Sequence, residues 1–119
     1  MPNQFIHVEI PCSDFEKAKK FYEGVFGWKT DYVPEMEYML FETGGVLQGG
    51  FYKSAEHTSQ QGIINYIEVE EIEKTLEAVQ QYGGKTIVEK TPVGESGWFA
   101  LFADQDGNVL GLWKDAPLA

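Results

Sequence analysis

HVEIPCSDFEKAKKFYEGVFGW, from His7 to Trp28, is the stretch that decides the fold of this chain. Residues 5–12 alternate, with aliphatic side chains on one face and His7 and Glu9 on the other, which is typical of a strand with one buried face. Apolar residues then recur at spacings of three and four, which predicts an amphipathic helix that ends at Gly27. The stretch therefore predicts a strand followed by a helix, and it places an imidazole and a carboxylate on the same strand face.

A weaker copy of this pattern, INYIEVEEIEKTLEAVQQYGGK, starts at Ile64. A shift of 57 residues aligns the two helices and the glycines that follow them, and the last strand pair of each half also matches. Both halves therefore predict the order β-α-β-β-β. We expect an α+β fold of two βαβββ modules, residues 1–56 and 63–119, within a single domain that covers residues 1–119.

The remaining segments predict shorter elements. Residues 29–36, with Pro34 near their end, predict a loop, so the second strand of the first module is the least clear. Residues 91–97 predict another loop, because they contain one proline and two glycines. Strands are predicted at residues 38–42, 46–51, 63–69, 85–89, 98–103 and 109–113, and the second helix at residues 71–82.

The composition excludes several classes of function. The chain carries a formal net charge of −10, and apart from residues 17–20 its lysines are scattered, so phosphate backbones and anionic lipid surfaces would be repelled. The single cysteine, Cys12, excludes an intrachain disulfide. No apolar segment approaches the roughly 18 residues that span a membrane. We therefore expect a cytoplasmic protein that binds neither nucleic acid nor membrane.

Three segments together resemble a known family: the opening stretch, its copy from Ile64, and the ending GWFALFADQDGNVLGLW at residues 97–113. They are similar to the vicinal oxygen chelate superfamily, which comprises glyoxalases, bleomycin resistance proteins and extradiol dioxygenases. Within it, the chain is most similar to small predicted enzymes related to lactoylglutathione lyase. The resemblance implies that the two modules form curved sheets, that the sheets form a cleft either within one chain or across a dimer, and that the chain forms a homodimer.

The resemblance also implies where a metal would bind. Metal-dependent members place ligands, typically His, Glu or Gln, on the first and last strand of each module. Here these positions fall on His7, Gln48, Ile64 and Gly111, with Asn65 replacing Ile64 if the register slips by one residue. Isoleucine and glycine have no ligating side chain, whereas a catalytic zinc usually has three protein ligands. We therefore expect no metal and no other cofactor, with a divalent metal as the disfavoured alternative.

His7 and Glu9 are the candidate catalytic residues. An imidazole titrates near neutral pH, and an enclosed carboxylate can act as an acid or a base. The alternative is that His7 remains from an ancestral ligand position and bonds a neighbour, while Glu9 lies at a solvated rim.

The candidate ligand-binding residues are polar and aromatic side chains expected to face the cleft. Aromatic residues at strand spacing suit a small organic ligand, although they are also common in cores. The candidates are His7, Gln48, Tyr52, Tyr66, Glu68, Trp98 and Trp113.

Three hypotheses of function follow. The first is a metal-independent small-molecule-binding protein of the sequestering, resistance or ligand-sensing type. The second is a superfamily isomerase or lyase on an oxygenated small substrate, in which His7 or Glu9 moves a proton beside a carbonyl group. A ring-cleaving dioxygenase is disfavoured, because its iron site of two histidines and a carboxylate cannot be assembled at these positions. The third is an interaction module without a ligand.

Overall fold

A computed structural model describes residues 7–54 and 64–117 of the chain. The chain divides into two compact units, Met1–Thr58 and Ser59–Ala119. Within the described residues, each unit contains one α-helix and a four-stranded mixed sheet, which confirms the predicted α+β fold of two βαβββ modules. The cleft between the two sheets stays a prediction. No helix of the described residues is long and apolar enough to cross a membrane.

Unit 1 builds its sheet in the order β1-β4-β3-β2, with β1 parallel to β4 and the other neighbours antiparallel. Its first strand therefore lies beside its last. A 3-10 turn, Pro34–Met36, connects the second and third strands. The elements are β1 His7–Cys12, α1 Phe15–Phe26, β2 Lys29–Val33, β3 Tyr38–Glu42 and β4 Gln48–Lys53.

Strand β2 corrects the loop predicted at residues 29–36. Lys29–Val33 pairs along the whole of β3, and only the turn that starts at Pro34 interrupts the chain. The strand lies at the edge of the sheet and is mostly exposed, so it lacks the clean apolar alternation of a half-buried strand. The proline therefore marks the end of a strand and not a loop of eight residues.

Helix α1 covers one face of this sheet. The Asp14 carboxylate caps its N-terminus by accepting from the backbone N–H of Glu16 at 2.8 Å, and Gly27 ends it in the left-handed conformation, with φ 70°. Behind the helix, the Tyr22, Trp28, Phe41 and Phe51 rings are buried, and successive centroids lie 4.7–5.1 Å apart. This aromatic core occupies the face that His7 and Glu9 do not share.

Unit 2 repeats the arrangement in the order β5-β8-β7-β6, with β5 parallel to β8. Part of the loop predicted at residues 91–97 is instead strand, because β6 continues to Val93 through two register shifts. Pro92 is tolerated since β6 is an edge strand whose outer N–H groups need no partner in the sheet. The elements are β5 Tyr66–Glu68, α2 Ile72–Gln81, β6 Lys85–Val93, β7 Gly97–Ala103 and β8 Val109–Asp115.

Candidate functional site

The sheet of unit 1 presents a second face, opposite α1, which we name the His7 face. Side chains alternate along each strand, and directly paired residues share a face. His7 pairs with Gln48, Glu9 with Gly50, and Tyr38 with Tyr52, whereas the intervening Ile10, Met39 and Phe51 are buried on the helix side. On β1, β3 and β4 the His7 face therefore consists of His7, Glu9, Pro11, Tyr38, Leu40, Glu42, Gln48, Gly50 and Tyr52.

A hydrogen-bond chain joins three residues of the His7 face. The Tyr38 hydroxyl donates to Glu9 Oε2 at 2.9 Å. The hydroxyl oxygen of Tyr38 also lies 2.6 Å from His7 Nε2. A phenol has one proton, and a carboxylate only accepts. Because the Tyr38 proton is directed at Glu9, His7 Nε2 must carry a hydrogen and donate it to Tyr38. The chain therefore runs from His7 through Tyr38 to Glu9.

Gly50 allows the hydrogen-bond chain from His7 through Tyr38 to Glu9 to form. Strand β4 lies between β1 and β3, so a side chain from β3 must cross β4 to reach β1. A Cβ atom at position 50 would overlap Cε2, Cζ and Oη of Tyr38, so the ring occupies the space that any larger residue would fill. The absence of a side chain at Gly50 thus lets the tyrosine lie across the central strand.

The environment of Tyr38 keeps its hydroxyl protonated. Burial raises the pKa of Tyr38 to about 12, and the hydrogen bond to Glu9 and the negative charge of Glu9 act in the same direction. Near neutral pH the phenol is consequently a neutral hydrogen-bond donor that links an imidazole to a carboxylate. Such an arrangement can anchor a polar ligand or pass a proton along the chain.

The structure brings together four of the predicted site residues on this one face. His7 and Glu9 are linked through Tyr38, while Gln48 and Tyr52 lie beside them on β4. Sequence reasoning missed Tyr38. A usable signal was the glycine pair at residues 49–50, because glycine inside a strand often marks the close approach of another group.

The predicted residues of unit 2 divide between two faces of its sheet. Tyr66 and Glu68 lie on β5, and Glu68 pairs with Trp113, so these three share a face. Trp98 does not join them, because β7 and β8 pair Trp98 with Lys114 and place Phe99 opposite Trp113. Trp98 instead lies under the Lys90 ammonium group, 4.8 Å from its ring centroid.

Strand pairing adds Tyr66 to Ile64 and Asn65 as a possible counterpart of His7 in unit 2, and the choice among them stays a prediction. Gly111 pairs with Tyr66 as Gln48 pairs with His7. Seven residue positions separate His7 from the helix cap at 14, but only five separate Tyr66 from the cap at 71. Aligning the modules by their helices and aligning them by their strand pairs therefore give results that differ by two residues, a shift that keeps the same face.

A separate groove lies on the other side of unit 1. Its volume is about 560 Å³, and it opens between the start of α1 and strand β2. The Phe15 and Tyr32 rings, whose centroids lie 5.1 Å apart, form one wall, and Lys19 and Lys53 also line it. None of the three residues of the hydrogen-bond chain contributes to this groove.

The family model of the Glyoxalase/Bleomycin resistance protein/Dioxygenase superfamily matches residues 4–112. The chain belongs to this superfamily. A glyoxylase-like domain-containing protein from Didymella fabae is 32% identical over 114 residues, which cover 89% of each chain. The uncharacterized protein YraH from Bacillus subtilis is 26% identical, with 93% of this chain and 98% of YraH aligned.

Solved structures share the superfamily fold. The fosfomycin resistance protein FosX from Listeria monocytogenes superposes with a TM-score of 0.80 at 16% identity, covering 98% of this chain and 96% of FosX. A superfamily enzyme from Burkholderia phytofirmans superposes with a TM-score of 0.77 at 17% identity, covering 94% and 98% of the two chains.

The superfamily includes metal-dependent proteins, so the donors at the implied ligand positions decide whether a metal fits. Gly111 has no side chain, and the Tyr66 ring occupies the place of its Cβ. His7 Nε2 already bonds Tyr38, which leaves Gln48 as the other side-chain donor of unit 1. No group of three or more His, Cys, Asp or Glu side chains placed to hold a metal occurs among residues 7–54 and 64–117. These residues do not fit a metal ion.

Proposed function

We propose that this superfamily member binds a small organic molecule without a metal ion, and that the ligand contacts the His7 face. The observation that carries the proposal is the chain from His7 through Tyr38 to Glu9. It holds one imidazole and one carboxylate in a fixed relation beside the half-buried Tyr52 and the exposed Leu40. A few fixed polar groups next to apolar surface are typical of small-molecule sites.

The bonding of His7 supports metal independence. A metal at His7 Nε2 would have to displace the Tyr38 hydroxyl, and the remaining donors would not complete a usual coordination shell.

We also propose that the protein is cytoplasmic and acts as a homodimer. Sedimentation velocity tests the homodimer. A single species of monomer mass at micromolar concentration would contradict the dimer.

The second candidate is an isomerase or lyase related to lactoylglutathione lyase, acting on an oxygenated small substrate. The continuous hydrogen-bond chain favours it, because a proton taken up by His7 can be balanced by proton transfer through Tyr38 toward Glu9. His7→Ala and Glu9→Gln would then each abolish turnover while leaving the fold intact. Unchanged turnover in both variants would remove these residues from the reaction.

The proposed function is tested by a thermal-shift screen of small aromatic and thiol-conjugate compounds, run with and without EDTA. We expect saturable stabilisation that EDTA leaves unchanged; at a ligand concentration of 100 Kd it amounts to about 2.7 kcal/mol. Tyr38→Phe should weaken the binding, whereas Tyr82→Phe, at the exposed end of α2, is the matched control.

Two outcomes of this screen would contradict the proposal. The first is the absence of any saturable compound. The second is binding that EDTA abolishes and a divalent metal restores, which would return the site to metal-dependent chemistry.

A further inference from the structure

The His7 face presents hydrogen-bond acceptors to a ligand. In the uncharged form of His7 in which Nε2 donates to Tyr38, Nδ1 carries a lone pair. Neither Nδ1 nor Glu9 Oε1 has a hydrogen-bond partner among residues 7–54 and 64–117. The Tyr38 hydroxyl donates its only proton to Glu9, so it has no hydrogen to offer a ligand. A ligand that reaches these three side chains therefore meets lone pairs and a negative charge.

The charges on the same face also disfavour an anion. Asp31 pairs with Leu40 and Lys29 with Glu42, so their register positions fall on the His7 face, although Asp31, on the edge strand, also lines the groove beside α1. Thr30 and Tyr32 point the other way, because Thr30 bonds Glu23 of α1 and Tyr32 packs on Phe15.

Strands β1 to β4 consequently bring three carboxylates and one ammonium group to the His7 face: Glu9, Asp31 and Glu42 against Lys29. Lys29 lies directly opposite Glu42, which compensates its charge. The next lysine along these strands, Lys53, alternates to the helix side. An anionic ligand would therefore approach excess negative charge at Glu9, and strands β1 to β4 place no cation other than Lys29 on this face.

We infer that the ligand of the His7 face is an uncharged or cationic molecule that donates hydrogen bonds, through a hydroxyl or primary ammonium group, to His7 Nδ1 and Glu9. This inference rests on the proposed function and names its ligand class. The apolar part of such a molecule lies against Tyr52 and Leu40, the aromatic and aliphatic members of the same face. Carboxylates and phosphonates are excluded, because their oxygens are hydrogen-bond acceptors and would face His7 Nδ1 and the Glu9 carboxylate, which are also acceptors.

Tyr38 and Gly50 are the positioning residues of this selectivity. Tyr38 determines which nitrogen of His7 bears the hydrogen, and Gly50 gives the ring its place. Without the Tyr38 hydroxyl, His7 Nε2 loses its partner, and either tautomer becomes available to a ligand. The preference for donors over anions should then diminish, although the net charge of the protein is unchanged.

Three probes of one shape test the inference: benzylammonium, benzyl alcohol and benzoate, titrated into the ¹⁵N-labelled chain with EDTA present. We expect the first two to shift the backbone amides of β1 and β4 saturably, and benzoate to bind at least about tenfold more weakly, a difference of about 1.4 kcal/mol. Glu9→Gln should remove the advantage of benzylammonium over benzyl alcohol. Glu77→Gln, an exposed carboxylate of α2, is the matched control.

The tautomer of His7 provides an independent measurement. Imidazole ¹⁵N spectra should show Nε2 protonated and Nδ1 unprotonated in the wild type, and a mixture in Tyr38→Phe. The signal of the second histidine, His57, which lies outside the described residues, is assigned with His57→Gln.

Four results would overturn the inference: a protonated Nδ1, benzoate binding as tightly as benzylammonium, shifts confined to the groove at Phe15 and Tyr32, or no saturation by any of the three probes. Tight benzoate binding to the His7 face would leave the proposed function standing. The wider compound screen decides the proposed function separately.

Discussion

Replacing Gly50 with alanine is the sharpest perturbation of the site. The backbone at Gly50 does not require a positive φ, so alanine is compatible with the strand itself. Its Cβ would, however, overlap three atoms of the Tyr38 ring. Carbon atoms normally pack at about 3.5–4.0 Å, so the ring must move by roughly 1 Å or more. A displacement of that size breaks the 2.6 Å contact with His7 and the 2.9 Å contact with Glu9.

The expected cost follows from these two bonds. At the lower end of typical values, a neutral hydrogen bond contributes about 0.5 kcal/mol and one to a carboxylate about 1.5 kcal/mol. Alanine recovers about 0.5 kcal/mol by restricting the unfolded chain. Gly50→Ala should therefore lower the free energy of unfolding by about 1.5 kcal/mol, which is a decrease in Tm of about 6 °C for a chain of this size.

Urea denaturation of a double-mutant cycle measures this effect. In a Tyr38→Ala background the ring is absent, so Gly50→Ala should become neutral or stabilise the fold by about 0.5 kcal/mol. Gly45→Ala is the matched control, since a Cβ there meets only Thr43 Oγ1 at 3.7 Å. Additive effects of the two substitutions, which mean an equal cost for Gly50→Ala in both backgrounds, would refute the packing of Tyr38 on Gly50.

Further predictions concern the same hydroxyl and the helix cap. Glu9→Gln should move the pKa of Tyr38 from about 12 back toward 10, because it removes the carboxylate charge while burial remains; ultraviolet titration measures this. Since the pKa of Tyr38 is higher in the folded state, its contribution is complete below pH 10 and is lost between pH 10 and about 12. Tyr38→Phe should flatten that part of the stability profile, and an unchanged profile would contradict the assignment. Asp14→Ala should cost about 1 kcal/mol in urea denaturation, and Glu71→Ala, whose carboxylate makes no cap bond, only a few tenths.

The fold followed from the sequence where local signals and packing agreed. Helix α1 has an apolar stripe, an Asp14 cap and a Gly27 stop, and each of these acts within a few residues of chain. Strand β2 could not be read in the same way. Its regularity comes from pairing with β3, and the exposed edge residues Lys29 and Asp31 carry no apolar period that would reveal a strand.

The site was predictable only in part, because its geometry depends on strand order. Alternation alone placed His7 and Glu9 on one face. The role of Tyr38 required three further facts: β4 lies between β1 and β3, the register sets Tyr38 close to Gly50, and position 50 lacks a Cβ. The pairing of Tyr66 with Gly111 was unpredictable for a similar reason, since the length of the connection between strand and helix leaves no mark on the apolar pattern of the helix.

Strand β1 is an edge of its own sheet. Parallel backbone pairing holds it to β4, and the hydrogen bonds of His7 and Glu9 with the Tyr38 hydroxyl link it to β3. Edge strands are among the first segments to open in local unfolding. A molecule that binds the His7 face and competes with Tyr38 for His7 or Glu9 would therefore break the hydrogen bonds that link β1 to β3. Ligand binding would then raise the hydrogen-exchange rates of the β1 amides, so these rates would measure occupancy of the His7 face.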